Sequence, residues 1–470
     1  MSYAALLDSK RFIAPTVGVT VDSDHLHPDA FPFQRDVTAW SLRKGRAANF
    51  AATGMGKTLM QLDWARNTDE RVLIVAPLGV ARQTVTEAEK WGIPTSYARS
   101  FEEARLKIVV TNYEMLDHFD VRAFGAVVLD ESSILKSFEG KIRTKLIERF
   151  RDVQLRLCCT ATPAPNDIAE IANHAEFLGL MTRTEMLAAF FVHDDKGWRL
   201  KGHAREPFFR WLASWALCLT KPSDLGYSDE GYILPLLHVE SIVVASGYVP
   251  ERQLFFTGLK GIGDRAKVRK ATVTARVDAA VKLMVKDGTG AGPAVHQLQP
   301  GTGKVPDQWV VWCGRNDEQD ILAHRLGDEC VSIDGRTSEA EKIRLHELWM
   351  DGQRRILITK ASVFGFGMNW QHCHQMLFLG LDDSWEKYFQ AIRRCWRFGQ
   401  KREVRVYVVI SDAEEPVYQN VLRKDAEAQA MTHELVAHVA EFERAELRGA
   451  VHAAYEPGHE MHLPAWARSL

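Results

Sequence analysis

The sequence carries almost no surplus charge of either sign: 59 Lys and Arg stand against 61 Asp and Glu, a formal net charge of -2. No global positive field advertises a polyanionic partner, so bulk charge neither supports nor excludes DNA or RNA. A disulfide framework is missing too. The seven cysteines are odd in number and form no Cys-x-x-Cys pair, which points to reduced thiols in a cytoplasm-like compartment. No stretch approaches the ~18 uncharged apolar residues of a membrane span. The opening MSYAALLDSKRF has an apolar run too short for a signal peptide, so a cytoplasmic location is expected. No self-similarity recurs at the ~20–50-residue period of repeat folds. What is present is an ordinary globular balance, 46% hydrophobic and 26% charged over 470 residues. At roughly 100–200 residues per domain, two or three domains are expected.

Along the chain, RVLIVAPL, LKIVVTNY, FGAVVLDE and VQLRLCCTAT each read as a short buried strand. Between them KTLMQLDWARN and VARQTVTEAEKWG space their apolar residues as helices do. This is the rhythm of a parallel sheet covered on both faces, and it returns in QWVVWCG, RRILITKA, HQMLFLGL and VRVYVVIS. The expected order is an N-terminal extension (1–30), a first α/β unit (31–165), a helical insertion and connector (166–270), a second α/β unit (271–412), and a C-terminal helix and tail (413–470). KDGTGAGPAVHQLQPGTGKVPDQ lacks a period and reads as a surface loop. Its GTGK follows no strand and is not a phosphate loop.

The strongest chemical signal is ATGMGKT, with Thr53, Gly54, Met55, Gly56, Lys57 and Thr58 leading from a short apolar run into a helix. Glycines let backbone N–H groups curl around phosphate oxygens, and the helix N-terminus adds partial positive charge. Lys57 would reach the β and γ phosphates of ATP, and Thr58 would hold Mg²⁺. Ala51 stands where the GxxxxGK[ST] pattern has its first Gly. AVVLDESS then places Asp130 and Glu131 at the carboxyl end of a strand, where open α/β sheets bind ligands. Asp130 would fix Mg²⁺, and Glu131 would orient and deprotonate the attacking water. QAIRRCWRFGQ supplies Arg394 and Arg397, three apart and so on one helix face. Arginines brought from a second domain would stabilise the transferring phosphoryl group and make hydrolysis depend on closure.

Together these segments resemble a superfamily 2 helicase-like ATPase, and within it the Swi/Snf-type DNA translocases. FPFQRDVTAW looks like the adenine-recognition entry, with Gln34 on the base, and DESSILKS is similar to D-E-A-H-R-L-K-N. TATPAPN resembles the coupling motif T-G-T-P-L-Q-N, with Thr160 and Thr162 in the coupling positions, and SIDGRTS followed by Arg344 resembles D-G-S-T-x(n)-R. QAIRRCWRFGQ fits Q-A-x-D-R-A-H-R-I-G-Q, so Gln390, Arg394 and Arg397 would inherit the water-positioning and arginine-finger roles. ITKASVFGFGMNW is similar to S-T-R-A-G-G-L-G-I-N-L, which carries over Gly367 and Asn369. The resemblance implies two tandem RecA-like P-loop domains with a helical insertion between them, ATP with Mg²⁺ at their interface, and duplex DNA as partner. DNA is expected on Thr111 and Asn112 of the first unit and on Thr337, Arg344 and Thr359 of the second, mainly through phosphates. The sequence departs from the family at Ser133 (His in D-E-A-H), Lys360 (Arg), Arg393 (an acidic residue) and Trp396 (His). Compact size without chromatin-reading modules implies a prokaryotic or bacteriophage member, cytoplasmic in the cell or infected host. Two other readings stand beside translocation. One is a strand-separating DNA or RNA helicase; the other is a nucleotide-gated DNA-binding subunit of a restriction, modification or defence assembly, with the C-terminal helix as protein contact.

Several features have plainer readings. His372, Cys373 and His374 have no second ligand pair at a zinc spacing and read as strand-edge packing. Trp198, Phe208, Phe209, Trp211 and Trp215 could stack on bases, but helical spacing favours a small core. The run Lys136, Lys141, Arg143 and Lys145 reads equally as a DNA track or a solvated face.

Overall fold

The protein is described from a computed structural model that covers residues 13–136, 140–165, 167–194, 197–245, 269–286, 307–364, 369–381 and 384–447. The first lobe is built on a seven-stranded sheet. Its strands are β1 (Arg46–Ala51), β2 (Val72–Ala76), β3 (Thr95–Tyr97), β4 (Ile108–Asn112), β5 (Ala126–Asp130), β6 (Leu155–Cys159) and β9 (Ala216–Leu219). They run parallel in the order β3-β4-β2-β5-β6-β1-β9. Every residue of β2, β4, β5 and β6 is buried, because helices cover both faces and leave neither side for water. The numbering gap is filled by an antiparallel hairpin, β7 (Phe191–Asp194) and β8 (Gly197–Leu200).

The second lobe has six parallel strands in the order β10-β15-β14-β11-β13-β12. These are β10 (Leu237–Val244), β11 (Trp309–Cys313), β12 (Cys330–Ser332), β13 (Ile356–Thr359), β14 (Gln375–Leu379) and β15 (Val404–Ser411). Two parallel-sheet α/β units are thus present, as the strand rhythm implies. The segment 166–270 differs from expectation, since its described residues divide between the lobes. Helices Ile171–Leu178, Arg183–Phe190 and Arg205–Ala213 bury Phe177, Phe190, Phe208, Phe209 and Trp211 in the first lobe's core. Trp215 joins the same core edge-on to Phe50 at 6.2 Å, so Phe208, Phe209, Trp211 and Trp215 are packed inside rather than offered to bases, while Trp198 is half-buried against that core. β9 then extends the first sheet beside β1, and β10 opens the second beside β15. A four-residue apolar run such as ALCL carries no period that separates strand from helix, which is why β9 is invisible in the pattern.

The C-terminal helix, Glu415–Leu447, packs along both lobes. Tyr418, Val421 and Ala428 enter the second lobe's core, whereas Leu435, Val436 and Val439 enter the first lobe's. None of its large apolar side chains is exposed. Trp385 Nε1 donates to Asp425 at 2.7 Å on the second-lobe half, and His438 stacks on Phe209 at 4.6 Å on the first. Near its end Glu443 accepts the backbone N–H of Cys218 at 2.6 Å, capping the outer edge of β9.

Burial holds the Glu443 carboxyl well above the ordinary glutamate range. A carboxyl with a raised folded pKa favours the protonated fold, so its contribution is full below the unfolded pKa and is lost as pH rises toward the folded value. Glu443→Gln keeps the acceptor and removes the titration. Its melting temperature is expected to exceed the wild type's at about pH 8 and to match it near pH 4, measured by thermal denaturation. Equal melting temperatures at both pH values would contradict a buried, titrating Glu443.

Candidate ATP site between the lobes

The phosphate loop leaves the carboxyl end of β1 and enters the helix Lys57–Asn67. Gly54 and Gly56 take left-handed φ values of 93° and 85°, which a side chain would strain. Space is as tight as the angles. A Cβ on Gly54 would stand 3.0 Å from the backbone N of Phe398 in the second lobe, and one on Gly56 would overlap the Gln34 amide. The loop is therefore pressed between Gln34 and the other lobe. Gln34 itself is buried, donating to Met55 O at 2.9 Å and accepting from Phe31 N at 2.9 Å. Its amide thus ties the helix Pro32–Lys44 to the phosphate loop. Phe398 lies within an aromatic group with Tyr232 (4.7 Å) and Phe31 (6.2 Å), at the Gln34 end of the loop.

Lys57 Nζ donates to the carbonyls of Ala51 at 2.7 Å and Ala52 at 3.3 Å. Burial lowers its pKa, opposed by the negative charges of Glu131 and Asp130. Asp130 ends β5, where its oxygens accept from Gln61 Nε2 at 2.9 Å and from the Glu131 N–H at 3.0 Å. Burial raises its pKa, and the Gln61 hydrogen bond works against that. Gln61 lies four residues after Lys57, hence one helical turn along the same face. That spacing was the available signal for a residue the motif reading passed over. Tyr113 adds a donor to the Asp130 carbonyl at 2.8 Å.

Glu131 follows in a left-handed conformation at φ 53°, the single non-glycine residue with positive φ among the described residues. Such a conformation costs roughly 1–2 kcal/mol and aims the side chain away from the strand direction. Burial raises its carboxyl to about 7, with Lys57 lowering it, Asp130 raising it, and Arg394 of the second lobe lowering it. A carboxylate poised near neutrality, beside a lysine and an aspartate, suits general-base work on water. Arg394 is 7% exposed, and burial pulls its guanidinium down to about 9. Arg397 is lowered by burial as well, with Glu87 of the first lobe as its favourable charge. Gln390 is half-buried at the last full turn of the helix Trp385–Ile392, just before these arginines.

The coupling pair lies just beyond β6. Thr160 is fully buried with its hydroxyl accepting the Thr162 N–H at 3.1 Å, and its own N–H donates to Asn49 O at 3.3 Å. The carboxyl ends of β1, β5 and β6 thus bring Lys57, Asp130, Glu131 and Thr160 together, while Thr53 is half-buried in the loop and Thr58 half-buried in the first turn of the helix that follows. Gly367 lies outside the described residues. Asn369 is described, and its amide reaches Glu87 across the lobes at 3.5 Å.

The residues expected on DNA fare differently. Thr111 is fully buried and donates to Ala98 O at 2.8 Å. Asn112 is 2% exposed, bonded to Tyr97 OH at 2.7 Å and Glu114 at 2.5 Å. Thr359 is fully buried against Ile333 O at 2.9 Å. These three sit inside the sheets with their polar atoms already paired, so they present nothing to a phosphate in this arrangement. Thr337 is half-buried, its hydroxyl accepting the Asp334 N–H at 3.1 Å. Arg344 is exposed and paired with Glu341 at 2.7 Å.

The donor set suits a nucleoside triphosphate with a hard cation. The glycines let the loop take the left-handed turns that can aim backbone N–H groups at phosphate, and Thr58 and Asp130 offer oxygen ligands of the kind Mg²⁺ takes. Among the described residues no three His, Cys, Asp or Glu side chains converge on one point, and no helix is long and apolar enough to cross a membrane.

The family model for the DEAD/DEAH box helicase matches residues 31–171, and that for the helicase conserved C-terminal domain matches 296–399. An uncharacterized ATP-dependent helicase, YqhH of Bacillus subtilis strain 168, is 22% identical over 431 residues, spanning 80% of this chain and 74% of YqhH. Among solved structures, the Sulfolobus solfataricus SWI2/SNF2 ATPase core in complex with dsDNA aligns over 91% of this chain and 98% of its own, at 18% identity and a TM-score of 0.41. With both domain models matching in tandem over two RecA-like lobes, the chain belongs to the superfamily 2 helicase-like ATPases and is an ATP-hydrolysing enzyme of the helicase type.

Proposed function

We propose that the protein is a duplex-DNA translocase that hydrolyses ATP with Mg²⁺ at the interface of its lobes. The observation that carries this reading is the reach of second-lobe cations into the first lobe's carboxylates: Arg394 acts on Glu131, and the adjoining Phe398 backbone lies against Gly54. ATP with Mg²⁺ supplies the scissile phosphoanhydride and the divalent charge. Lys57 and the loop N–H groups bind the phosphates, and Thr58 and Asp130 hold the metal. Glu131 takes a proton from the attacking water, which Gln390 positions, while Arg394 and Arg397 balance the charge that builds on the transferred group. Thr160 and Thr162 link this centre to the nucleic-acid face.

Because catalytic groups come from both lobes, turnover requires closure, and a track that favours closure accelerates it. The basic segment around the site divides accordingly. Arg394 is turned inward, whereas Lys401 and Arg405 are exposed and offered to a phosphate backbone; Arg402 is exposed too but pairs with Asp307 at 3.3 Å. Arg344, exposed on the helix Glu339–Met350, and Thr337 just before that helix would add contacts elsewhere on the second lobe. The neutral total charge fits a grip confined to a narrow cleft rather than nonspecific coating of DNA.

ATP turnover measured with no nucleic acid, single-stranded DNA, duplex DNA and RNA tests the proposal. Duplex DNA is expected to stimulate most, by about tenfold or more, and the stimulation should fall steeply with salt. Third-strand displacement from a triplex without separation of the duplex is the expected companion result. Stimulation by RNA alone, or strand separation at the same rate as triplex displacement, would replace translocation by a strand-separating helicase.

A further inference from the structure

Ser133 stands where the family has the histidine of D-E-A-H, and the structure shows what its hydroxyl meets instead. It lies 3.1 Å from Oε1 of Glu386, a second-lobe residue in the first turn of the helix Trp385–Ile392. The other carboxylate oxygen of Glu386 pairs with the ammonium of Lys136, one turn beyond Ser133 in the first lobe. Ser133 is 4% exposed, and the Glu386 and Lys136 side chains are 18% and 37% exposed. The contact is therefore partly withdrawn from water and screened less than an open surface pair.

The position of Glu386 on its helix gives this contact a direction. Glu386, Gln390 and Arg394 follow one another at intervals of four, the spacing that lines residues along a single helix face. Beyond Ile392 the backbone continues as turns, with Arg393 N–H to Phe389 O at 3.0 Å and Arg394 N–H to Ala391 O at 3.2 Å, so Arg394 lies directly past the helix end rather than on its face. Fixing the first-turn carboxylate against the first lobe thus orients the residues one and two turns later toward the same lobe.

We propose that Glu386 is a positioning residue, a lobe-closure latch that engages Ser133 and Lys136 and thereby seats Gln390 and Arg394 at the hydrolytic centre. It rests on the functional reading of Glu131 and Arg394 given above. The substitution of Ser for His is then compensated by a carboxylate from the opposite lobe.

The test uses the full chain and basal ATP turnover without nucleic acid, so that its outcome is separate from whether DNA stimulates. Lys136→Glu and Glu386→Lys are each expected to lower kcat by about tenfold or more with KM for ATP changed less than about twofold, and the double exchange should regain most of that loss. Thermal melting identifies any variant that fails to fold, and Glu386→Gln serves as the isosteric control. Glu386→Gln keeps the side chain's shape but loses the ion pair with Lys136, so its kcat should fall less than that of Glu386→Lys, with KM again little changed. A purely structural role would lower the melting temperature and raise KM along with the loss of kcat, without the split expected here. Wild-type kcat in either charge reversal, or no recovery in the double exchange, would overturn the latch.

Discussion

Replacing Lys57 by Ala is expected to lower ATP turnover by about 10³-fold or more, with and without nucleic acid, while the protein stays folded. Two losses combine. The first is direct: the ammonium that would meet the β and γ phosphates is gone, and no flexible side chain of the loop replaces a point charge there. The second acts through the carboxylates. Lys57 is the charge that most opposes the rise of Glu131, and Asp130 lies in the same buried group. Without it both acids are held more firmly in their neutral forms, so the base is protonated at the pH where the enzyme works. Turnover should therefore recover in part as pH is raised, an effect absent from a variant that loses only phosphate contact. Single-turnover hydrolysis across pH, with thermal melting as the control for folding, measures both losses. Unchanged turnover would remove Lys57 from the site.

Arg397→Ala is expected to retain ATP binding and lose turnover by about 10³-fold, within the range that trans-acting arginines contribute in phosphoryl transfer. The side chain belongs to the second lobe, so the first lobe still holds nucleotide when it is removed. Its favourable charge in the present arrangement is Glu87, on the helix Leu78–Lys90 of the first lobe. Glu87 also accepts from Asn369, which makes it a shared anchor for two second-lobe segments. Lysine should substitute poorly, because a point charge cannot reproduce the planar fork of guanidinium N–H groups. Arg394→Ala should differ in one respect: Arg394 lowers the Glu131 carboxyl, so its loss moves the acid limb of the rate profile upward, whereas loss of Arg397 leaves the limb in place. Nucleotide binding by fluorescence titration beside steady-state turnover separates the cases. Loss of binding equal to loss of turnover would assign Arg397 to ground-state binding.

Much of the architecture was legible because parallel strands buried on both faces appear as unbroken apolar runs, as in VLIVA and AVVLD. Lys57, Asp130 and Glu131 were legible for a related reason, since each is fixed by a strand end or a loop adjacent to it in the chain. β9 and β10 were not. Each pairs with a strand far away in sequence, and nothing local in ALCL or LHVESIVV states which lobe will take it. Glu386 and Glu87 acquire meaning only when the lobes meet, a relation that no spacing within either segment records. Thr111 and Thr359 teach the complementary point: a motif position identifies a residue but not the direction of its side chain, and here both point into the protein.

The C-terminal helix has a mechanical consequence. Its 33 residues span about 50 Å at the rise of an α-helix, with one half embedded in each lobe. A hydrogen-bonded rod of that kind resists stretching far more than it resists bending or pivoting at its ends. The lobes are therefore joined by a spar as well as by the nucleotide cleft. While both halves stay embedded, they cannot simply draw apart along its axis, and their relative freedom is angular. A cleft restrained in this way opens by swivelling, and the distance such a motor advances is set by an angle and a lever arm.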